Sequence, residues 1–222
     1  VFAKALESGS LPEKRSAILN LANSDDPKAD AMLAAQFAKL DPQLELDLLE
    51  ASSEAKGTKS RGKAKTREKE LASAGALGLF LPTLRGGDVE AGKKVALGHP
   101  SAQCIRCHKV GASGGVLGPD LSKVATRLSP EQLLESLVNP QAQLTDGFGL
   151  LVATLNDGST VTGSITKATA DTYHLQSPDG KQSTLERSLI ASQLLTSPMP
   201  PAGTILSKRE IRDLIAFLST LR

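Results

Sequence analysis

The 222-residue sequence predicts a mainly α-helical fold that carries a small antiparallel β insertion. Two observations lead to this fold class. Capped segments with apolar residues at three- and four-residue steps recur through most of the chain, as in amphipathic helices. Short β-prone segments with tight turns are confined to about residues 146–195. The composition also changes near Leu84–Gly87, so we divide the chain into a helical segment, residues 1–85, and a second domain, residues 86–222.

The first 85 residues contain three stretches with helical periodicity, Ser16–Ala22, Ala31–Leu40 and Leu44–Ala51. Asp26-Pro27 and Asp41-Pro42 predict helix starts, because proline is tolerated in a first helical turn. Helical pairs of this length are similar to HEAT repeats, although one or two repeats are too few for a self-sufficient solenoid. We therefore expect a neighbour, or the rest of the chain, to cover their apolar face.

A basic segment lies between Glu54 and Glu70. Its seven basic and three acidic residues give a net charge of +4, whereas the whole chain carries +2. Such a segment could contact nucleic acid or an acidic partner. More often it is a solvated helix face or a linker, and we adopt that interpretation. The absence of interleaved aromatic residues argues against a platform for single-stranded nucleic acid, so we expect no nucleic-acid partner.

Local capping signals predict three helices in residues 86–222. In each, a side chain accepts hydrogen bonds from backbone N–H groups of the first turn. The signals are Asp88 before a helix from Val89 to about Leu97, Ser129-Pro130-Glu131-Gln132 before a helix that stops at Asn139-Pro140, and Ser207 with Glu210 before the last helix. Apolar residues share one face of the last helix, namely Ile211, Leu214, Ile215, Leu218 and Leu221.

Between the second and third of these helices the pattern changes to β. Phe148–Leu155 runs into Asn156-Asp157-Gly158-Ser159, a strong hairpin turn. The later strands and the second turn are Thr160–Thr166, Thr172–Gln176, Pro178-Asp179-Gly180-Lys181 and Ser183-Thr184-Leu185. Four or five short strands with tight turns predict a small antiparallel sheet or barrel.

Both cysteines of the chain lie in the pentapeptide Cys104-Ile105-Arg106-Cys107-His108. This C-x-x-C-H spacing is that of a c-type haem attachment site. Two thiols so spaced can form thioethers with the two haem vinyl groups, and the next imidazole can ligate the iron. A redox dithiol would expect a βαβ setting that the flanks do not supply. A structural zinc site would need further ligands, and His99 and His174 are in no paired motif.

A Met/His pair is a common axial ligand set for haem iron, and the chain has two methionines. Met32 lies in an apolar helical stretch and is expected in a core. Met199 lies in Ser197-Pro198-Met199-Pro200-Pro201, where prolines stiffen the loop and reduce the entropy cost of holding the sulfur. We expect Met199 to be the second axial ligand, and the alternative is a loop methionine packed in a minor core. His174 is expected to be a sheet-surface histidine.

With these residues in place, about residues 86–222 resemble a class I c-type cytochrome domain. The matching positions are Gly92, the CxxCH at 104–108, Gly118-Pro119-Asp120-Leu121, Arg127, Met199 and Phe217. The resemblance implies one covalent haem c, with Cys104 and Cys107 as attachment residues and His108 and Met199 as iron ligands.

The same resemblance implies three further contacts. The first and last helices should cross closely, with Gly92 against Phe217. The carbonyl of Pro119 should accept the other ring N–H of the ligand histidine, which fixes the ring and strengthens its donation to iron. Arg127 should meet a haem propionate, and a solvated surface arginine is the alternative for this position.

A β insertion just before the methionine loop is similar to the haem-binding domains at the C-terminal ends of large membrane-associated dehydrogenase-like proteins of planctomycetes and their relatives. This resemblance implies an electron-transfer module that is not itself an enzyme and that serves a fused or partner dehydrogenase or propeller domain. It also implies a periplasmic or otherwise exported parent protein. No run of eighteen or more apolar residues is present, so we expect no membrane span in this chain.

Two rival functions stay open at this point. One is a haem peroxidase or gas-binding domain in which Met199 is displaceable. The other is a helical interaction module with a β domain and no haem. The composition has only 3% aromatic residues and no tryptophan, and a buried haem would supply some of the flat apolar surface that these usually provide.

Overall fold

The computed structural model describes residues 2–145, 148–177 and 180–222. Of the described residues 49% are helical, and the chain also contains a five-stranded antiparallel sheet. The predicted helices are present, although the helix expected to start at Asp41-Pro42 begins at Glu45 after a turn. The sheet is more than a small decoration of a mainly helical chain. The fold is mixed α and β.

The α-helices occupy both parts of the chain. They are α1 (Phe2–Ser8), α2 (Leu11–Ala22), α3 (Pro27–Lys39), α4 (Glu45–Ser53), α5 (Thr58–Ser73), α6 (Val89–Gly98), α7 (Cys104–Cys107), α8 (Pro130–Val138) and α9 (Lys208–Leu218). Short 3₁₀ segments lie at Gly78–Leu84, Val124–Thr126, Arg187–Leu189 and Ala202–Thr204. Among the described residues, no helix combines the length and apolar character needed to cross a membrane.

Capping interactions define the starts of α6, α8 and α9, as the sequence predicts. The Asp88 carboxylate accepts a hydrogen bond from the backbone N–H of Ala91 at 2.8 Å. Ser129 with Gln132, and Ser207 with Glu210, form reciprocal capping boxes. The side chain and backbone of Ser207 donate to the Glu210 carboxylate, which holds its pKa below the ordinary value.

The basic segment lies mainly on α5, so of its two interpretations it is the solvated face of a packed helix and not a linker. Ser60, Ala64 and Leu71 are buried on one side of α5, whereas most of its lysines are exposed. Asp30 of α3 accepts hydrogen bonds at the start of α5 from the Lys59 N–H at 3.0 Å and the Ser60 N–H at 2.9 Å. Burial raises the pKa of Asp30, but its hydrogen bonds to Ser60 and Lys59 outweigh burial and lower that pKa overall. The carboxylate therefore fastens α5 onto the helices before it.

The sheet has its own hydrophobic core. A separate short hairpin consists of β1 (Lys109–Val110) and β2 (Ser113–Gly114). The strands of the sheet are β3 (Leu150–Leu155), β4 (Thr160–Ala168), β5 (Thr172–Gln176), β6 (Gln182–Glu186) and β7 (Ile190–Thr196), in the spatial order β6-β5-β4-β3-β7. Alternate residues face one side, and the buried ones are Leu151, Ala153, Ile165, Tyr173, Leu175 and Leu185. The predicted hairpin turn joins β3 to β4. Pro178 and Asp179 of the second predicted turn lie outside the described residues.

A second core forms around α9, whose apolar residues lie along one face of the helix. Ile211, Leu214 and Ile215 of α9 are almost fully buried, together with Leu133 and Leu134 of α8. Helices α6 and α9 cross so closely that a Cβ added at Gly92 would lie 1.8 Å from the Asp213 carbonyl oxygen and 2.9 Å from the Cβ of Phe217. The structure thus has the predicted contact between Gly92 and Phe217.

The N-terminal helices are joined to α9 by buried charges. Asp47 of α4 accepts hydrogen bonds from Arg212 at 3.0 Å and from Arg15 at 2.9 Å. The side chains of Asp47 and Arg212 are only 8% and 7% exposed. Arg15 also donates to the carbonyl of Gly86. Phe80 and Leu84 pack against the α9 core as well, so residues on both sides of the predicted boundary at 85 and 86 share one core.

Replacing Asp47 by alanine should destabilise the protein strongly. The change leaves the buried Arg212 guanidinium with Asp213 as its remaining carboxylate partner. Removing one partner of a buried ion pair typically costs about 3–5 kcal/mol, and the retained Asp213 contact puts the expected loss at the lower end of that range. Urea unfolding measures the loss. Asp25→Ala is the control, because Asp25 pairs with Lys56 in solvent and should change stability little. Equal unfolding midpoints for the two variants would show that the buried network contributes nothing.

Candidate functional site

The C-x-x-C-H motif forms one tight turn followed by extended chain. Cys104 and Cys107 are the ends of α7, and the backbone N–H of His108 donates to the Cys104 carbonyl at 2.9 Å. The turn is preceded by Gln103 in the left-handed region at φ 43°, a conformation that non-glycine residues rarely adopt. Neither thiol is in a disulfide, and Cys104 is half-buried whereas Cys107 is exposed.

The His108 ring is fixed from two sides. Its Nδ1 lies 2.8 Å from the Pro119 carbonyl oxygen, which can only accept, so Nδ1 carries the proton. A neutral ring with this tautomer presents the Nε2 lone pair as a metal ligand. Gly118 lies flat against the ring, because a Cβ at this position would be 2.7 Å from Cε1. The Gly118 N–H also donates to the Cys107 carbonyl at 2.8 Å, which joins this loop to the motif.

Two large apolar side chains lie exposed in the loop between the motif and Gly118. Val116 is 81% exposed and Leu117 is 68% exposed. This loop follows a short hairpin of β1 (Lys109–Val110) and β2 (Ser113–Gly114), and its Gly115 N–H donates to the Ile105 carbonyl at 2.8 Å. Adjacent exposed apolar side chains usually mark a surface that something else covers. A large apolar group bonded to the cysteines fits this setting.

The protonation of Cys104 also bears on the chemistry of the motif. Burial raises the pKa of the Cys104 thiol, and the neighbouring Cys107 adds to this shift. Catalytic dithiols instead depend on a cysteine whose pKa is lowered, because the thiolate is the nucleophile. The observation therefore points away from a thioredoxin-like redox dithiol.

Met199 lies in a loop that packs on the α9 core. The side chain is half-buried and contacts the same hydrophobic cluster as Ala102 and Val110, which flank the C-x-x-C-H motif. Its backbone N–H donates to the Ser197 hydroxyl oxygen at 3.1 Å. The structure thus brings Met199 and the motif segments to one core, whereas Met32 packs in the separate core of the N-terminal helices.

Arg127 and the two remaining histidines have partners within the chain. The Arg127 guanidinium donates to the Asp120 carbonyl at 2.7 Å, close to Pro119 in the sequence. His174 lies on β5, 3.3 Å from the Thr184 hydroxyl on the neighbouring strand, as expected for a sheet-surface histidine. His99 lies at the end of α6, where its Nδ1 accepts from the N–H groups of Ser101 and Ala102.

The molecule also has a groove outside this site. An open groove of about 480 Å³ lies on the sheet beside Ile165, Tyr173 and Arg187, and none of the predicted ligands lines it. Within residues 2–145, 148–177 and 180–222, no three His, Cys, Asp or Glu side chains are grouped to hold a metal ion. No protein-family model matches the chain, and no curated protein is similar enough to match it. The site is therefore defined by its own geometry.

Two residues that hold segments of the site in place could not be identified from the sequence pattern. Gln141, in a polar stretch after α8, bonds the segment before Met199 through three hydrogen bonds. His99 joins α6 to α9, because its Nε2 lies 3.3 Å from a Glu210 carboxylate oxygen. Both contacts connect residues far apart in the sequence, which periodicity and capping patterns do not encode.

Replacing Gly118 by alanine should displace the His108 ring. The new Cβ would overlap the Cε1 and Nδ1 atoms, so the ring must move and its hydrogen bond to Pro119 must lengthen. Overpacking of this kind costs about 1–3 kcal/mol of stability. NMR resonances of the His108 ring should shift in this variant. They should stay in place in Gly62→Ala, where the added methyl group meets no atom within 4 Å. An unshifted His108 resonance in Gly118→Ala would contradict the packing.

Proposed function

We propose that the protein is an electron-transfer module with one covalently attached haem c. The observation that carries the proposal is the C-x-x-C-H turn whose histidine is held through Nδ1 by the Pro119 carbonyl. That hydrogen bond leaves Nε2 as the ligand atom and restrains the ring, as outer contacts of metal-bound histidines do. Residues about 86–222 are, on this proposal, a class I cytochrome domain with a β insertion.

Cys104 and Cys107 attach the haem in this proposal. Each thiol adds across one vinyl group, so that a C–S bond forms, the vinyl double bond is lost, and the thiol hydrogen passes to the neighbouring carbon. This addition needs no oxidant or reductant.

His108 and Met199 supply the two axial ligands, so the protein leaves no coordination position for a substrate. When bound, haem c supplies an iron that alternates between the ferrous and ferric states, and a methionine ligand raises its potential. The exposed side chains of Val116 and Leu117 would cover apolar surface of the group and exclude water from it. Arg127 holds the loop that carries Pro119 through the Asp120 carbonyl and offers its other N–H donors to a propionate.

The remaining parts of the chain connect this module to its surroundings. We assign to the sheet, which ends at Thr196 directly before the methionine loop, the role of supporting that loop. The N-terminal HEAT-like helices are fastened to α9 by Asp47. We assign to them the role of connecting the haem module to a fused or partner dehydrogenase or propeller domain that donates electrons. Attachment of haem c places the parent protein in the periplasm or another exported location.

Replacing Met199 by alanine tests the proposed ligation. The haem-loaded variant should keep its haem but lose the weak red absorption band of ferric methionine ligation, bind carbon monoxide when reduced, and have a lower potential. These changes follow because only the distal ligand is removed. Absorption spectra and redox titration measure them, and Met32→Ala is the control because Met32 lies in the other core.

The outcomes also separate this function from its rivals. Wild-type protein that binds carbon monoxide as readily as Met199→Ala would indicate an open haem site, as in a peroxidase or gas-binding domain. A Met199→Ala variant with an unchanged red band would remove Met199 as the ligand. Colourless wild-type protein from a host that attaches haem c would favour the interaction module.

A further inference from the structure

The segment before Met199 is held by one side chain from outside the sheet. Strand β7 ends at Thr196, and Gln141 approaches this end from the segment after α8. The Gln141 Oε1 accepts from the Thr196 hydroxyl and from the Ser197 backbone N–H, both at 2.8 Å. Its Nε2 donates to the Ser197 carbonyl at 3.2 Å. One amide group therefore satisfies both backbone groups of Ser197.

The orientation of the Gln141 amide follows from these partners. The Thr196 and Ser197 donors face Oε1, and the Ser197 carbonyl, which can only accept, faces Nε2. A flipped amide would set donor against donor at the Ser197 N–H and acceptor against acceptor at its carbonyl. The contact therefore has one good arrangement.

The methionine loop has few backbone donors of its own. In Ser197-Pro198-Met199-Pro200-Pro201 the prolines lack N–H groups, so only Ser197 and Met199 can donate. The Ser197 N–H donates to Gln141, and the Met199 N–H donates to the Ser197 hydroxyl oxygen at 3.1 Å. Gln141 thus binds the Ser197 N–H directly. The Met199 N–H is bound by the hydroxyl of Ser197, the residue that Gln141 holds.

Because of its prolines, the position of this loop depends on its anchored end at Ser197. Pro198, Pro200 and Pro201 fix their own φ angles, so the loop moves as a stiff unit. A stiff unit transmits a displacement at Ser197 to the half-buried Met199 side chain, whereas a flexible loop would absorb it. The position of the Met199 sulfur is therefore set by where Gln141 holds Ser197.

We propose that Gln141 is a positioning residue for the distal ligand: its hydrogen bonds to Thr196 and Ser197 hold the Met199 sulfur on the iron and thereby set the strength of axial ligation. This inference rests on the proposed function. Gln141 touches neither the iron nor Met199, so its effect is transmitted through the Ser197 peptide and hydroxyl.

The test compares three variants of the haem-loaded protein. Gln141→Ala removes all three hydrogen bonds. Gln141→Glu keeps the two acceptor contacts but opposes the Ser197 carbonyl with a carboxylate. Gln143→Ala is the matched control, because Gln143 is an exposed glutamine in the same stretch. Circular dichroism melts first establish that each variant is folded, as expected for changes at exposed residues.

Binding of added imidazole to the ferric protein reads the strength of methionine ligation, because imidazole must displace the sulfur. Gln141→Ala should bind imidazole roughly tenfold more tightly than wild type. The variant loses three hydrogen bonds, and a tenfold change in affinity corresponds to the net free energy of about one to two of them. Gln141→Glu should be intermediate, and Gln143→Ala should match wild type.

Hydrogen–deuterium exchange at the Ser197 amide provides a readout that does not depend on haem. Exchange should accelerate in Gln141→Ala and not in Gln143→Ala. Faster exchange with unchanged imidazole affinity would overturn the positioning role, and so would unchanged exchange. A wild-type protein without methionine ligation would instead overturn the proposed function, and with it the role of Gln141. Methionine ligation in wild type whose imidazole affinity is the same in Gln141→Ala would overturn the role alone.

Discussion

The close crossing of α6 and α9 at Gly92 is the contact on which the rest of the structure depends. Helix α6 leads into the C-x-x-C-H turn, and the methionine loop leads into α9, so their crossing places both segments on one core. The crossing is fixed at its ends by the Asp88 N–H bound to Asp213 at 3.0 Å and by His99 beside Glu210 at 3.3 Å. Only a residue without a side chain permits so short a distance at Gly92.

The site that this crossing frames is built from backbone groups more than from charges. The Pro119 carbonyl orients His108, the Cys107 carbonyl holds Gly118, and a glutamine amide holds Ser197. Such contacts are short and directional, so they would restrain the proposed ligand atoms without adding charge beside the iron. The proposed electron-transfer module would benefit from such rigid surroundings, because little would need to move when the electron arrives.

Local chemistry explains what could be predicted from the sequence. The caps at Asp88, Ser129 and Ser207 and the hairpin turn after β3 act between residues a few positions apart, so the pattern alone identifies them. The hydrogen bond from His108 to Pro119 is formed as the resemblance implies. Apart from the contact between Gly92 and Phe217, which the resemblance implies, contacts of high sequence separation were missed. Nothing in the pattern of Asp47 and Arg212, or of Gln141 and Ser197, marks them as partners. The sequence left a helix face and a linker both open for the basic segment, because its buried residues are small.

The covalent bond between the cysteines and a haem is the central claim, and the mass of the intact chain tests it most directly. The whole chain is produced in a host that attaches haem c, denatured, extracted with acidified organic solvent and weighed by mass spectrometry. We expect the mass of the chain plus one haem, with neither Cys104 nor Cys107 open to alkylation. A bare chain with two alkylatable thiols would contradict the account.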